Sequence, residues 1–285
     1  MLKKIYTWSG TLIAIFGFLF LLKRINLYCN QINFNTLTEK DYYVLFLFIA
    51  IYCFSNFLLV KGWQYLLFNF GSTPSFSLAF KIYGTSQLGK YIPGNIFQFA
   101  GRQSIAVKNG IKSSVSLKSI GWELGLLAIS GSVFVILILP IYFKTFSALL
   151  SVLFFILFLF ILIRGLIFFN NFFYLSTIAY LVFLIISSFL FIGVLNILNP
   201  RYDFLTWEIF LVIGSFVVAW LVGFVTPGAP AGVGIREFIL FFLLKNNFSE
   251  SDLLAALIFS RVISIIGDLI FFLIALTFKR QVRLD

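Results

Sequence analysis

Two stretches of this sequence share a register that carries polar groups into apolar surroundings. Pro93-Gly94 is followed after seven residues by Arg102, and Pro227-Gly228 is followed after seven residues by Arg236. Proline lacks the amide donor and glycine accepts unusual dihedrals, so each pair breaks a helix. Pro230, Gly232 and Gly234 extend the second break. A helix that restarts after a break aims free N–H groups and the positive end of its dipole inward, which suits phosphate or another anion. Lys90, Asn95, Gln98 and Arg102 near the first break, and Arg236 after the second, are the candidate binding residues, with Gln87 beside the first set.

The second set that bears chemistry is charge inside apolar runs: Glu123, Glu237, Arg261 and Asp268. A charge at a helix centre costs about 2.5–3.5 kcal/mol on insertion scales, so each must face a partner or water. Arg261 and Asp268 lie seven residues apart, about two turns along one helix face. Their partners are therefore expected on other helices, Glu123 and Glu237 being the candidates for Arg261. Such a set gates or couples a polar substrate path, or it locks the bundle with no ligand at all.

Much other chemistry is absent from the residue list. There is no histidine, the commonest general base and metal ligand. Cys29 and Cys53 read as small hydrophobes in place of a disulfide or metal pair. Gly228 to Gly234 is rich in small residues but lacks the Gly-Lys-Ser/Thr ending of a phosphate loop. No Asp-x-Asp pair occurs. We expect no metal, no cofactor and no catalytic residue, and an enzyme is the less favoured reading.

The elements that must position these residues are membrane helices. The chain has 285 residues, 61% hydrophobic and 11% charged, against about 25% charged in soluble domains. At about 20 residues per crossing, there is room for seven or eight helices and none for a large soluble module. Apolar runs lie at 42–60, 119–143, 145–163, 172–198, 209–226 and 253–278, and a further run to Leu22 follows Lys3 and Lys4. The last resembles a secretory signal without its cleavage site and is read as a retained first helix. Two interrupted pieces, 63–80 and 238–244, are half-helices or re-entrant segments, one of them crossing to make eight.

Between Tyr42 and Trp122 there are seven lysines and arginines and no acid. That bias places this region in the cytoplasm, and Lys3, Lys4, Lys279, Arg280 and Arg283 place both termini there. The net charge of +11 thus reflects anionic lipid, not nucleic acid. The shared register continues into Val107-Lys108-Asn109 and Leu244-Lys245-Asn246, with Glu123 and Arg261 fifteen and sixteen residues beyond the lysines. The expected fold is therefore all-α integral membrane, one multi-pass domain over 1–285 with two broken or re-entrant segments and an internal repeat, its units at about 63–143 and 209–278. Two unrelated kinks are the alternative.

At these motifs the chain resembles the transmembrane region of the lysylphosphatidylglycerol synthase/flippase family. The carrying residues are Gly89-Lys90-Tyr91-Ile92-Pro93-Gly94-Asn95 with Gly101-Arg102, then Pro227-Gly228, Gly232-Val233-Gly234-Ile235-Arg236-Glu237, and Arg261. The likeness runs from about Ile5 to Phe278 and implies an eight-helix domain that moves an aminoacylated phospholipid between leaflets. It does not reach the soluble aminoacyl-transfer domain, so lipid lysylation is not expected of these residues. The resulting expectation is a flippase of a phospholipid or a lipid-linked glycan in the cytoplasmic membrane, working with membrane lipids and envelope-synthesis enzymes. A membrane enzyme acting on a lipid-linked sugar, and a scaffold in envelope polysaccharide synthesis, are the other readings. The oligomeric state is not legible.

Overall fold

The computed structural model describes residues 38–92, 96–143, 146–200, 208–226 and 230–278. The run to Leu22, Cys29 and the basic tail from Lys279 lie outside these residues. So do Pro93, Gly94, Asn95, Pro227 and Gly228.

Among the described residues nine helical segments follow in order: α1 (Glu39–Asn69), α2 (Phe76–Gln87), α3 (Phe97–Lys108), α4 (Ser113–Tyr142), α5 (Ala148–Phe169), α6 (Asn171–Leu198), α7 (Glu208–Val225), α8 (Ile235–Leu244) and α9 (Glu250–Thr277). Helix α4 tightens to a 3-10 turn over Phe134–Ile138, and further 3-10 turns occupy Leu88–Tyr91 and Pro230–Gly232. Among the described residues there is no strand.

Six of these helices are long and apolar enough to cross a membrane: α1, α4, α5, α6, α7 and α9. They match six of the seven runs read from hydropathy; the seventh lies outside the described residues. Neither interrupted piece forms a helix long and apolar enough to cross a membrane by itself. The stretch 63–80 divides between the end of α1 and the start of α2. Gly71, at φ 82°, makes the turn between them, a conformation open to glycine without steric cost. Residue 63, taken as the start of the first unit, thus falls within α1. The stretch 238–244 belongs to α8, whose ten residues span only about 15 Å.

Core packing follows membrane rules, in which close backbone approach replaces the hydrophobic drive between helices. Helix α6 lies along α1 because Gly62 leaves room for the Tyr180 ring: a Cβ there would stand 2.3 Å from Tyr180 Cε1. Ser176 Oγ donates to Gly62 O at 2.8 Å in the same crossing. Helix α9 meets α1 where Gly267 packs under Tyr52, with 2.7 Å from a built Cβ to the ring.

Each break folds a short helix back on the helix before it. Helix α2 packs on α3 across the Leu88–Tyr91 turn, and α7 packs on α8 across the Pro230–Gly232 turn. Each short helix then leads into a long one, α3 into α4 and α8 into α9, and packs against it. The two 3-10 turns touch each other. Leu88 and Tyr91 from the first form a buried cluster with Ile265 and Phe272 of α9, with Ala231 of the second turn packed against it.

Candidate functional site

The meeting of the two turns creates the site. A cavity of about 80 Å³ between them is lined by Lys90, Arg102, Glu123, Arg236, Arg261 and Asp268. Polar volume of this size takes about half a dozen waters or a small polar group, at roughly 10–15 Å³ per water. A second cavity of about 50 Å³ adjoins it, sharing Tyr52, Trp220, Arg236, Arg261 and Ser264, and adds Glu237 and apolar side chains such as Phe191, Phe216 and Leu257. Gln98, buried on α3, also lines the first.

Three of the four cations are met by carboxylates. Arg102 of α3 pairs with Glu123 of α4, each side chain only 1% exposed. Tyr83 Oη donates to the same carboxylate at 2.8 Å, while the Arg102 guanidinium stacks over the Tyr83 ring at 3.6 Å and Trp63 at 5.4 Å. Trp63 is in turn held by its Nε1 donating to Ser119 Oγ at 3.0 Å. This pair is closed on itself by aromatic rings and charge.

Arg261 of α9 pairs with Glu237 of α8. Its Nη1 and Nη2 donate to the carbonyls of Ala231 at 3.0 Å and Gly232 at 3.2 Å. Here the helix break is explained. Ala231, Gly232 and Gly234 all have positive φ, 50°, 71° and 85°, which turns carbonyls out of the helical ladder. A buried carbonyl without a partner is costly, and the planar fork of arginine supplies donors to both. The amide just ahead of α8 is also taken: Gly234 N donates to Glu237 Oε2 at 2.7 Å, as in a capping box.

Asp268 of α9 is fully buried and receives Lys90 Nζ at 2.6 Å, Tyr91 Oη at 2.5 Å, Asn56 Nδ2 at 3.2 Å and Gln87 Nε2 at 3.4 Å. Four segments, α1, α2, the first turn and α9, thus converge on one carboxylate.

Arg236 is different. It is half-buried at the start of α8, its guanidinium 5.5 Å from the Trp220 ring, and among the described residues it has neither a carboxylate partner nor a hydrogen bond. Its stem lies on Gly223 of α7, where a built Cβ would come within 2.7 Å of Arg236 Cγ and 3.1 Å of Gly232 Cα. The side chain borders both cavities.

No protein-family model and no curated protein matches this chain. The assignment of the site therefore rests on its own geometry. The structure brings Lys90, Gln98, Arg102, Glu123, Arg236, Arg261 and Asp268 to one cavity and Glu237 to its neighbour. It keeps Glu123 and Arg261 apart as a pair, giving each a partner within its own helix–break–helix unit. Sequence reasoning passed over Asn56, Tyr83 and Trp220, and named Tyr91 only as part of a motif. Asn56 carried a usable signal, being an amide in the middle of an apolar run; the aromatic residues were hidden among 40 phenylalanines and 12 tyrosines.

Proposed function

We propose that this multi-pass membrane protein handles lipids, taking a phosphate-bearing headgroup into the charged cavity and passing it between leaflets. The observation that carries the reading is Arg236, a cation inside a membrane protein that, among the described residues, has no carboxylate in salt-bridge contact. Such a residue is costly unless it faces water or a ligand, and an anion bound by arginine gains charge-assisted, often bidentate hydrogen bonds. The two back-folded helix pairs support the reading, because irregular backbone at membrane depth persists where it lines a cavity and paired breaks in two halves of a chain are the mark of a transport site. On this view α2 with α3, and α8 after α7, are re-entrant, the units are an internal repeat, both termini are cytoplasmic, and the protein is a stand-alone relative of the lysylphosphatidylglycerol synthase/flippase region. Its partners are membrane lipids and envelope-synthesis enzymes.

The enzyme reading asks for a free carboxylate as base. Glu123, Glu237 and Asp268 are each engaged with a cation, which disfavours it. The scaffold reading gives the lone arginine no task.

Reconstitution in vesicles tests the proposal. Wild-type protein should expose a headgroup-labelled phospholipid on the inner leaflet to an outside quencher, and Arg236→Gln should not, while eluting as the same folded species. Equal rates for both would sink the reading.

A further inference from the structure

A larger cavity, of about 370 Å³, opens where several segments end or begin. The close of α4 around Pro140, the first turns of α5 and α7, and the turn after α8 enclose it. It shares no lining residue with the two cavities between the helix breaks. Four polar side chains line it: Ser151, Glu208, Asn246 and Asn247. Among the described residues none of the four makes a side-chain hydrogen bond or an ion pair.

Ser151 carries the most information. It is only 1% exposed, and a buried hydroxyl ordinarily finds a partner. A helix N-terminus favours an acid for its own sake, which accounts for Glu208 at the first position of α7 but not for an orphan hydroxyl facing the same space. We propose that this cavity is a second binding site, for a small organic amine with a hydrocarbon body. The proposal stands apart from the lipid-handling reading.

The chemistry of the wall selects that class. A carboxylate only accepts, and hydroxyl and carboxamide oxygens accept as well, so between them the four can receive every N–H of an ammonium group. No described lysine or arginine lines the space, so an anion would meet the Glu208 carboxylate unrelieved. A neutral alcohol would gain hydrogen bonds but leave that charge unmatched. Leu137, Ile141, Val152 and Leu211 supply apolar wall for the hydrocarbon body. The volume falls within the range of about 300–1,000 Å³ usual for small-molecule pockets. Glu208, Asn246 and Asn247 are exposed, which gives the amine entry from water at the helix ends.

Binding to the purified full chain in an uncharged detergent tests the proposal, with phenethylamine, phenethyl alcohol and hydrocinnamate as probes of like size. The amine should bind about tenfold more tightly than the alcohol, and the carboxylate should bind more weakly than either. Glu208→Gln should bring the amine down to the alcohol's affinity while leaving the alcohol unchanged. Asn247→Asp adds a second carboxylate and should strengthen the amine by about threefold, a gain that no loss of folding can imitate. Ala148→Trp fills the cavity and should remove the binding of both. Equal affinity for amine and alcohol in the wild type, or an amine affinity untouched by Glu208→Gln and by Asn247→Asp, overturns the proposal.

Discussion

Lys90 Nζ stands 2.6 Å from Asp268 Oδ2, joining the 3-10 turn at the first helix break to the long helix that follows the second. No other ion pair found among the described residues links the two helix–break–helix units. The other two lie within a unit and have exchanged signs: the short helix supplies Arg102 to Glu123 in the first, and Glu237 to Arg261 in the second. With the touching turns, the Lys90–Asp268 bridge makes the two halves one cavity.

Breaking that bridge from one side should be expensive. Asp268→Ala leaves Lys90 facing a buried gap and strips the acceptor from Tyr91, Asn56 and Gln87, so a loss of about 3–5 kcal/mol is expected. Lys90→Met should cost less, because Tyr91 and the two amides remain to satisfy the carboxylate. Thermal unfolding in detergent of both variants and their combination measures the coupling; strictly additive losses would show the pair to be incidental.

The two arginines that follow the Pro-Gly pairs should respond in opposite ways. Arg102→Ala strands Glu123 in a fully buried site, at about 3–5 kcal/mol of stability. Arg236→Ala strands no acid and should cost about 1 kcal/mol, while abolishing lipid binding. Melting temperature and phospholipid binding, read on the same preparations, check the contrast. A strongly destabilised Arg236→Ala protein would mean that its contact with Trp220 and Gly223 is structural.

Gly223 should not tolerate even one methyl group. The added Cβ of Gly223→Ala would meet Arg236 Cγ at 2.7 Å and Gly232 Cα at 3.1 Å, and overpacking of this kind costs about 1–3 kcal/mol. The expected outcome is a folded protein with displaced Arg236 and weakened phospholipid binding. Wild-type affinity in Gly223→Ala would show that the arginine does not need its present seat.

Charge alone should not replace Arg261. Its guanidinium serves Glu237 and two carbonyls at once, a fork that a lysine ammonium does not reproduce. Arg261→Lys should therefore lie nearer to Arg261→Ala than to wild type in thermal stability. The charge swap Arg261→Glu with Glu237→Arg should restore little, because a glutamate cannot donate to Ala231 and Gly232. Full recovery in either variant would show the carbonyl contacts to be dispensable.

Much of this was legible in the sequence because membranes make the rules local. A run of about 20 apolar residues must be a helix, so α1, α4, α5, α6, α7 and α9 could be read directly from hydropathy. The cost of a charge at membrane depth is also local, which picked out Arg102, Glu123, Arg236, Glu237, Arg261 and Asp268 before any fold was known. What these residues share is a penalty, and a penalty says only that a partner is needed.

Which partner each one found was decided by the tertiary structure. Spacing made Arg102 and Arg236 equivalents and left Arg261 a choice between Glu123 and Glu237. Only the packing of α3 on α4 and of α8 on α9 closed two pairs and left one arginine over. Short helices such as α8 carry no hydropathy signal long enough to fix their place, and a turn such as Pro230–Gly232 takes its shape from the guanidinium that satisfies its carbonyls. Pairing depends on distances between segments far apart in the chain, as Asn56 and Asp268 show at 212 residues' separation, and no local property of either residue encodes the other.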